Sequence, residues 1–347
     1  MRGAMIGVFG GITSLTLFAV TSSAVDPAWE GGGESPRDEA NREGQWRRVI
    51  APGRGRWPED WTAGHWPMTL VPAIAFGDRL WMVGQGKASS FAWHSGDGVR
   101  WDRIRTNAVW GERYGMTCVF FDRRLWVMGG SQVRNDQFRN DVWSSSDGAD
   151  WKLVSSHAGW SPRRWHTTIA FDRKMWVIGG SDGEVRDDVW SSTDGVHWVR
   201  VIDHAPWSAR SNHVSVVFKD RMWVIGGGPW GHPHTDVWSS RDGMQWTRAT
   251  SDAGWSARMD SGGVVFHGKI WVFGGASQGG AWLNDVWNTP DGVHWQRVAA
   301  RAPWRPRAAE HSVVYHDKIW IYGGKGIEED GRGGYADDVW TLTLARD

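Results

Sequence analysis

The sequence has little cysteine, little tyrosine and no excess of charge of either sign. Cys118 is the only cysteine among 347 residues, which excludes an intrachain disulfide. We expect this thiol, inside the apolar run MTCVFF, to be buried and unreactive. The 39 basic residues balance the 39 acidic ones, which argues against a nucleic-acid surface or a polybasic membrane surface. Beyond the N-terminus no apolar run is long enough to span a membrane as a helix.

The N-terminus has the pattern of a targeting segment. Arg2 precedes the short apolar run IGVFGGITSLTLFAV (6–20), and the small residues SSA (22–24) follow. This pattern predicts a secretory signal peptide over residues 1–24, with an uncleaved anchor as the alternative. Residues 25–44 are polar and rich in Gly and Pro, so we expect a flexible leader there. The protein is therefore expected to be secreted or periplasmic.

Tryptophan, by contrast, is abundant at 30 residues, and most of it recurs at a regular spacing. Six similar strings, among them LWVMGG, MWVIGG and IWVFGG, place a Trp at positions 81, 126, 176, 223, 271 and 320. The successive steps are 45, 50, 47, 48 and 49 residues. A β-rich unit repeated at such a period is typical of a propeller or a similar array.

Each unit contains four short strand patterns. In the third unit these are TTIAF, MWVIGG, DVWSS and HWVRV, and the Asp-Gly pair between the last two predicts a hairpin. The sixth unit ends without a fourth strand, whereas QWRRV (45–49) is a fourth strand ahead of the first unit. We predict that this N-terminal strand completes the last blade and closes the ring. The prediction is one all-β domain over residues 45–347, a six-bladed β-propeller of four-stranded blades.

These units resemble the kelch repeat. The shared elements are a double glycine after a hydrophobic strand, DVW opening the third strand, a Trp on the fourth strand and an R-x-x-H lead-in at 163–166 and 210–213. The resemblance covers residues 45–347 and implies a kelch-like propeller. The first unit departs most, with GQG in place of GG and Thr69 where the other units have Arg. The string S-x-D-G-x-x-W is also similar to the structural Asp-box of sialidases, though one residue shorter.

The resemblance implies that the loops between strands two and three share one face with the inter-unit loops. These loops vary in sequence, and variable loops on a rigid scaffold usually carry binding residues. An arginine recurs there, three residues after the loop Trp, and could bind a carboxylate or sulfate. The alternative is that each arginine pairs with the Asp of a DVW motif. The series is Arg113, Arg163, Arg210, Arg258 and Arg307.

Aromatic and imidazole side chains are the other candidates on this face. Three Trp residues stand outside the repeat pattern and could stack on sugar rings, or else pack between loops. Two histidines occupy the R-x-x-H slot, and an H-x-H pair is a weak metal candidate that needs a third ligand. These candidates are Trp165, Trp230, Trp282, His166, His213, His232 and His234. No motif indicates a cofactor.

Two kinds of function fit this sequence. The first is a monomeric binding module for a carbohydrate, an anionic ligand or a protein partner. The second is a carbohydrate-active enzyme, either a sugar epimerase or mutarotase or a sialidase-like enzyme, with Glu310 and His311 as acid–base candidates. The copper chemistry of galactose oxidases, which also have a kelch-like propeller, needs a Tyr cross-linked to a Cys. Tyr114 and Cys118 lie four residues apart on one strand, roughly 13 Å, which is too far for that bond.

Overall fold

The computed structural model describes residues 44–51, 72–86, 89–308, 311–327 and 333–344. Every described residue belongs to one compact unit, Ala40–Asp347. The predicted signal peptide, the leader up to residue 43, and Glu310 lie outside the described residues. The regular elements of the described chain are all β-strands.

The strands follow the repeat, and each unit is numbered here from its place in the chain. An initial strand, β1 (Gly44–Ile50), precedes them. The first unit comprises β2 (Ala73–Phe76), β3 (Arg79–Gly86), β4 (Ser89–Ser95) and β5 (Asp102–Arg105). The second comprises β6 (Arg113–Tyr114), β7 (Thr117–Phe121), β8 (Arg124–Gln132), β9 (Phe138–Ser145) and β10 (Trp151–Ser155). The third comprises β11 (Thr167–Phe171), β12 (Lys174–Ile178), β13 (Val189–Ser192) and β14 (Val199–Ile202).

The remaining units have the same plan with short additions. The fourth comprises β15 (Val214–Phe218), β16 (Arg221–Ile225), β17 (Val237–Ser240) and β18 (Trp246–Thr250). The fifth comprises β19 (Arg258–Met259), β20 (Gly262–Phe266), β21 (Lys269–Ser277), β22 (Trp282–Thr289) and β23 (Gln296–Ala299). The sixth comprises β24 (Arg307–Ala308), β25 (His311–Tyr315), β26 (Lys318–Tyr322), β27 (Lys325–Ile327), β28 (Gly333–Tyr335) and β29 (Val339–Leu344).

Within each sheet the adjacent strands pair antiparallel. In the third unit the sheet order is β11-β12-β13-β14, with Trp176 opposite Ser191 and Trp190 opposite Arg200. The strands fall into six hydrogen-bonded sheets, two of which are extended by short loop strands to five and eight strands. The β1 strand pairs with β29, so the sheet of the sixth unit has the order β1-β29-β26-β25.

The repeated string DVWSSTDGVHW forms the hairpin between β13 and β14. The Ser192 hydroxyl accepts a hydrogen bond from the Gly195 amide at 2.8 Å, and Asp194 accepts two more from the following amides. Gly195 has a φ of +75°, and a Cβ there would lie 2.4 Å from the ring of Trp126 in the second unit. The Asp-Gly pair thus closes the hairpin and allows the neighbouring Trp to pack against it.

The hydrophobic core lies between the sheets. Among the described residues, five of six large apolar clusters each join two sheets that follow one another, for example the second and third through Trp126, Trp160 and Met175. The remaining cluster joins the sixth sheet to the first, with Trp320 and Tyr322 packed against Leu80 and Met82. Each buried indole removes roughly 150–250 Å² from water, so these contacts hold the sheets face to face.

The first strands of the units contact one another in a series. The contacts run β2–β7–β11–β15–β20–β25, and β25 also contacts β2. Tyr315, where other units have Phe, donates its hydroxyl toward the carbonyl oxygens of Asp78 and Gly96 in the first unit, at 2.6 and 3.0 Å. Repeated antiparallel sheets stacked in this way form an all-β β-propeller, and the predicted fold class is confirmed at that level.

Candidate functional site

The five repeated arginines pair with the aspartates of the DVW motifs. Arg163 is typical: its guanidinium donates to Asp188 at 2.5 and 2.8 Å and to the Gly179 carbonyl at 2.9 Å. The same aspartate accepts a hydrogen bond from the Trp190 indole at 2.8 Å. The other pairs are Arg113–Asp141, Arg210–Asp236, Arg258–Asp285 and Arg307–Asp338.

These pairs are part of the fold. The five arginines are only 0–8 % exposed, and both carboxylate oxygens of each partner are engaged. Although burial opposes ionisation, the hydrogen bonds from Arg163 and Trp190 lower the pKa of Asp188. A ligand could reach an arginine only by displacing this aspartate. This is the pairing alternative that the sequence left open for the five arginines.

A different set of residues lies together at the start of the first strands. Two residues after each of the first four repeated arginines, the chain adopts a positive φ: +63° at Gly115, +56° at Trp165, +55° at Asn212 and +54° at Asp260. The amide of each of the last three donates to the carbonyl of the preceding one, at 2.8, 3.0 and 3.0 Å. We call these four residues the collar, because they link the second to the fifth unit in one hydrogen-bonded series.

Trp165 projects from the collar toward the second unit. Its positive φ is costly for a bulky residue, and its indole lies over Gly115, where a Cβ would be 2.9 Å from the ring. The Arg164 guanidinium stacks on the indole at 4.0 Å from the ring centroid. Trp165 is partly exposed. One aromatic surface is therefore held in place at this end of the strands, supported by a cation.

Asn212 and Asp260 present polar groups that have no side-chain partner among the described residues. Neither side chain makes a hydrogen bond within the described chain, and both are partly exposed. Burial raises the pKa of Asp260 to about 7. At neutral pH this carboxyl therefore exists in both protonation states, so it can donate or accept a proton.

The two R-x-x-H histidines directly follow the collar residues Trp165 and Asn212 in the chain. His166 and His213 are 3 % and 5 % exposed, and their Nε2 atoms contact the hydroxyls of Thr117 and Thr167 at 3.1 and 2.8 Å. Burial, together with the neighbouring arginines, lowers the pKa of each histidine to about 3. They are therefore neutral at physiological pH, and little of either ring reaches solvent.

A second polar group flanks the collar. Arg164 contacts the Tyr114 hydroxyl and the Asp136 carboxylate, and Ser131 donates to the same carboxylate at 2.8 Å. Burial and the contact with Asp136 raise the pKa of Tyr114 to about 12. The network holds Arg164 against Trp165, so its function is to position the indole.

The other predicted tryptophans differ from each other. Trp230, on the loop between β16 and β17, is 77 % exposed. Trp282 is partly buried against Met259, Ala276 and Ala308. This position agrees with the alternative in which the Trp packs between loops. His311 lies at the start of β25, and its acid–base partner Glu310 is outside the described residues.

The remaining chemical candidates give no site. His232 is exposed and His234 is half-buried, and the described residues contain no group of three potential metal ligands. Burial raises the pKa of the Cys118 thiol to about 12, so the nucleophilic thiolate is not populated at neutral pH. Among the described residues no helix is long and apolar enough to cross a membrane.

The sequence alone pointed to only one member of the collar, Trp165. Asn212 and Asp260 occupy the same place in the repeat, and Asn and Asp tolerate a positive φ better than most residues. This position holds Gly, Trp, Asn and Asp in the second to fifth units, and the positions on either side of it vary as well. The linear sequence therefore did not mark the collar apart from its Trp.

Comparison with known protein families agrees with the fold. Residues 67–346 match the DUF6242 beta propeller domain. The chain belongs to this family. No curated protein matches it significantly. A solved structure titled "Structure of YjhT" resembles the DUF6242 propeller with a TM-score of 0.63 at 16 % identity, over 80 % of this chain and 97 % of that chain. At this identity the likeness shows the fold alone.

Proposed function

We propose that this DUF6242 propeller is a binding module that recognises a carbohydrate through the collar. One observation carries the proposal: within the described part of the chain, the polar side chains of Asn212 and Asp260 have no hydrogen-bond partner, and the backbones of these residues are hydrogen-bonded in series with that of Trp165. By contrast, the five repeated arginines are all paired. Unpaired polar groups beside a partly exposed aromatic ring are the usual composition of a small-molecule site.

The chemistry of the collar suits a sugar. A pyranose presents an apolar face that stacks on an indole, and hydroxyls that both donate and accept hydrogen bonds. The Asn212 amide offers two donors and an acceptor, and the Asp260 carboxyl can accept, or donate when protonated. An anionic ligand or a protein partner is less suited, because the five repeated arginines of this face are already paired with aspartates.

We also propose that the six sheets are six kelch-like blades in a ring closed by β1. The pairing of β1 with β29 supports the closure, as does the contact of β25 with β2. The recurring R-x-x-H, double-glycine and DVW elements support the kelch assignment. In such a ring the collar would surround the mouth of the axial channel.

Secretion and a monomeric state complete the proposal. The support for secretion is the N-terminal pattern of Arg2, the apolar run at 6–20 and the small residues at 22–24. N-terminal sequencing of exported protein tests it: a mature chain beginning at Val25 is expected, and retention of Met1 would contradict it. Sedimentation of the mature chain tests the monomeric state.

One observation favours an enzymatic alternative. A carboxyl with a pKa near 7 is suited to proton transfer at neutral pH, and Asp260 has this property beside Asn212. The acid–base group of a sugar epimerase or mutarotase would then be Asp260, not the paired arginines. NMR of a bound sugar, followed over time with wild type and Asp260→Asn, separates binding from turnover.

A glycan-array screen of the chain from Val25 onward tests the binding proposal. Three proteins are compared: wild type, Trp165→Gly with Asn212→Gly, and Trp230→Gly. Glycine accepts the positive φ of the collar, so the double variant removes side chains without adding backbone strain. We expect sugar binding that the double variant loses and Trp230→Gly keeps. An array on which wild type binds no sugar, or on which only Trp230→Gly loses binding, would contradict the proposal.

A further inference from the structure

A cleft of about 400 Å³ lies between the sheet of the sixth unit and the first unit. Arg47 and Arg48 of β1 form one side, and the turn residues His316 and Lys318 form another. The hairpin containing Asp97 and the buried indole of Trp320 complete it. The collar residues come just before the first strand of each unit. The turn containing His316 follows the end of such a first strand, β25. The cleft and the collar are therefore at opposite ends of the strands.

The charges of the cleft are unbalanced. Arg47 and Lys318 form no ion pair within the described chain, and the Arg48 guanidinium lies over the Trp340 ring at 5.6 Å. The single carboxylate, that of Asp97, is already engaged. Its Oδ1 accepts from the amides of Val99 and Arg100 at 2.8 and 2.7 Å. The Asp97 carboxylate keeps its charge, so Arg47 and Lys318 give the cleft two positive charges against one negative charge.

The arrangement follows from the way the sixth sheet is built. Its outer strand is β1, from the start of the chain, so no Asp-Gly hairpin joins β29 to β1. The residue at the position of Arg47 also differs from unit to unit. In the first five units it is Asp102, Lys152, Val199, Thr247 and Gln296. Arg48, in contrast, has equivalents elsewhere, such as Arg248 over Trp238. The adjacent pair of arginines is therefore peculiar to this sheet.

We propose that this cleft is a second binding site, specific for a phosphate or sulfate group. Guanidinium groups donate two parallel hydrogen bonds to the oxygens of such an anion, and a lysine adds a mobile point charge. The cleft has room for the anion together with part of a sugar that carries it. This site goes beyond the proposed sugar binding at the collar, because it uses different residues and a different ligand chemistry.

Isothermal titration calorimetry of the chain from Val25 onward tests the proposal. The probes are inorganic phosphate, inorganic sulfate, glucose 6-phosphate and glucose 6-sulfate, each at constant ionic strength maintained with chloride. We expect saturable binding with one site per chain. A higher affinity for the sugar esters than for the free ions would identify the ligand as an esterified sugar, and equal affinities would identify the free anion.

Three variants locate the binding. Arg47→Gln and Lys318→Gln each remove one charged hydrogen-bond donor and should weaken binding about tenfold or more. Arg248→Gln is the control for loss of one charge, since it removes an arginine from the outer strand of the fourth unit, at the position that corresponds to Arg48 and away from the cleft. Binding that is absent, that persists in Arg47→Gln, or that falls equally in Arg248→Gln would overturn the proposal. Thermal unfolding of each variant verifies that it folds.

Discussion

Breaking one buried ion pair gives the sharpest test of the fold's polar core. Asp188→Asn keeps the shape of the side chain but leaves the Arg163 charge without its counterion. Arg163 is 1 % exposed, and its remaining partners are the Gly179 carbonyl at 2.9 Å and the Ser161 hydroxyl and carbonyl at 2.9 and 3.2 Å. An uncompensated buried charge costs about 3–5 kcal/mol of unfolding free energy. The Trp190 indole donates to one of the two carboxylate oxygens of Asp188, and the amide of Asn keeps only one oxygen that can accept.

Urea unfolding at pH 7, followed by circular dichroism, measures this loss. The control is Asp194→Asn in the exposed hairpin of the same unit, where an amide oxygen can still accept from Val196 and His197. We expect the control to change stability by less than about 1 kcal/mol. A loss for Asp188→Asn no larger than that of the control would refute the reasoning.

The stability difference between wild type and Asp188→Asn should also depend on pH, in a direction set by the pKa of Asp188. The folded-state pKa of Asp188 is below its ordinary value, so its carboxylate stabilises the fold above the unfolded-state pKa, roughly 4. This stabilisation is lost as the pH falls through the folded-state pKa of Asp188. Wild type and Asp188→Asn should therefore converge in stability toward pH 2. The double variant Arg163→Met with Asp188→Leu leaves no charge unpaired and should recover much of the loss.

Three further predictions concern other parts of the molecule. Trp190→Ala removes an indole packed against the cluster between the second and third sheets and should cost about 3 kcal/mol in urea unfolding; an unchanged midpoint would contradict this packing. Deleting residues 1–50 removes β1 and bares the edge of β29, so size-exclusion chromatography should show aggregates, and a monomeric, equally stable protein would contradict the ring closure. Asp260 has a raised folded-state pKa, so wild-type stability should decline from pH 4 to pH 7. Asp260→Asn should therefore be more stable than wild type at pH 8, by on the order of 1–2 kcal/mol given its partial exposure, and equal to it at pH 4.

The strands and hairpins could be predicted from the sequence because their signals are local. The Asp-Gly pair needs only a positive φ and a short turn, and strings such as MWVIGG carry the burial pattern of a central strand. The pairing of Arg163 with Asp188 was one of two arrangements compatible with the repeat. The sequence could not choose between them, because the choice depends on how deeply the loop Trp buries the guanidinium.

The collar could not be predicted because it is made by contacts between units. Its amide-to-carbonyl hydrogen bonds join residues such as Trp165 and Asn212, almost fifty positions apart. Asp260 acquires its raised pKa only through burial in the folded chain. In the linear sequence it is one aspartate among many. Trp165 was singled out only because it is a Trp outside the repeat pattern.

NMR of protein carrying carbon-13 at the aspartate side-chain carboxyls tests sugar binding at the collar most directly. The Asp260 resonance is assigned by its loss in Asp260→Asn, and the best sugar from the array is then titrated at pH 7. The account predicts that the sugar shifts the Asp260 resonance and changes its midpoint of titration, while the resonance of the buried Asp188 stays in place. Saturable binding that leaves the Asp260 resonance unmoved would contradict the account.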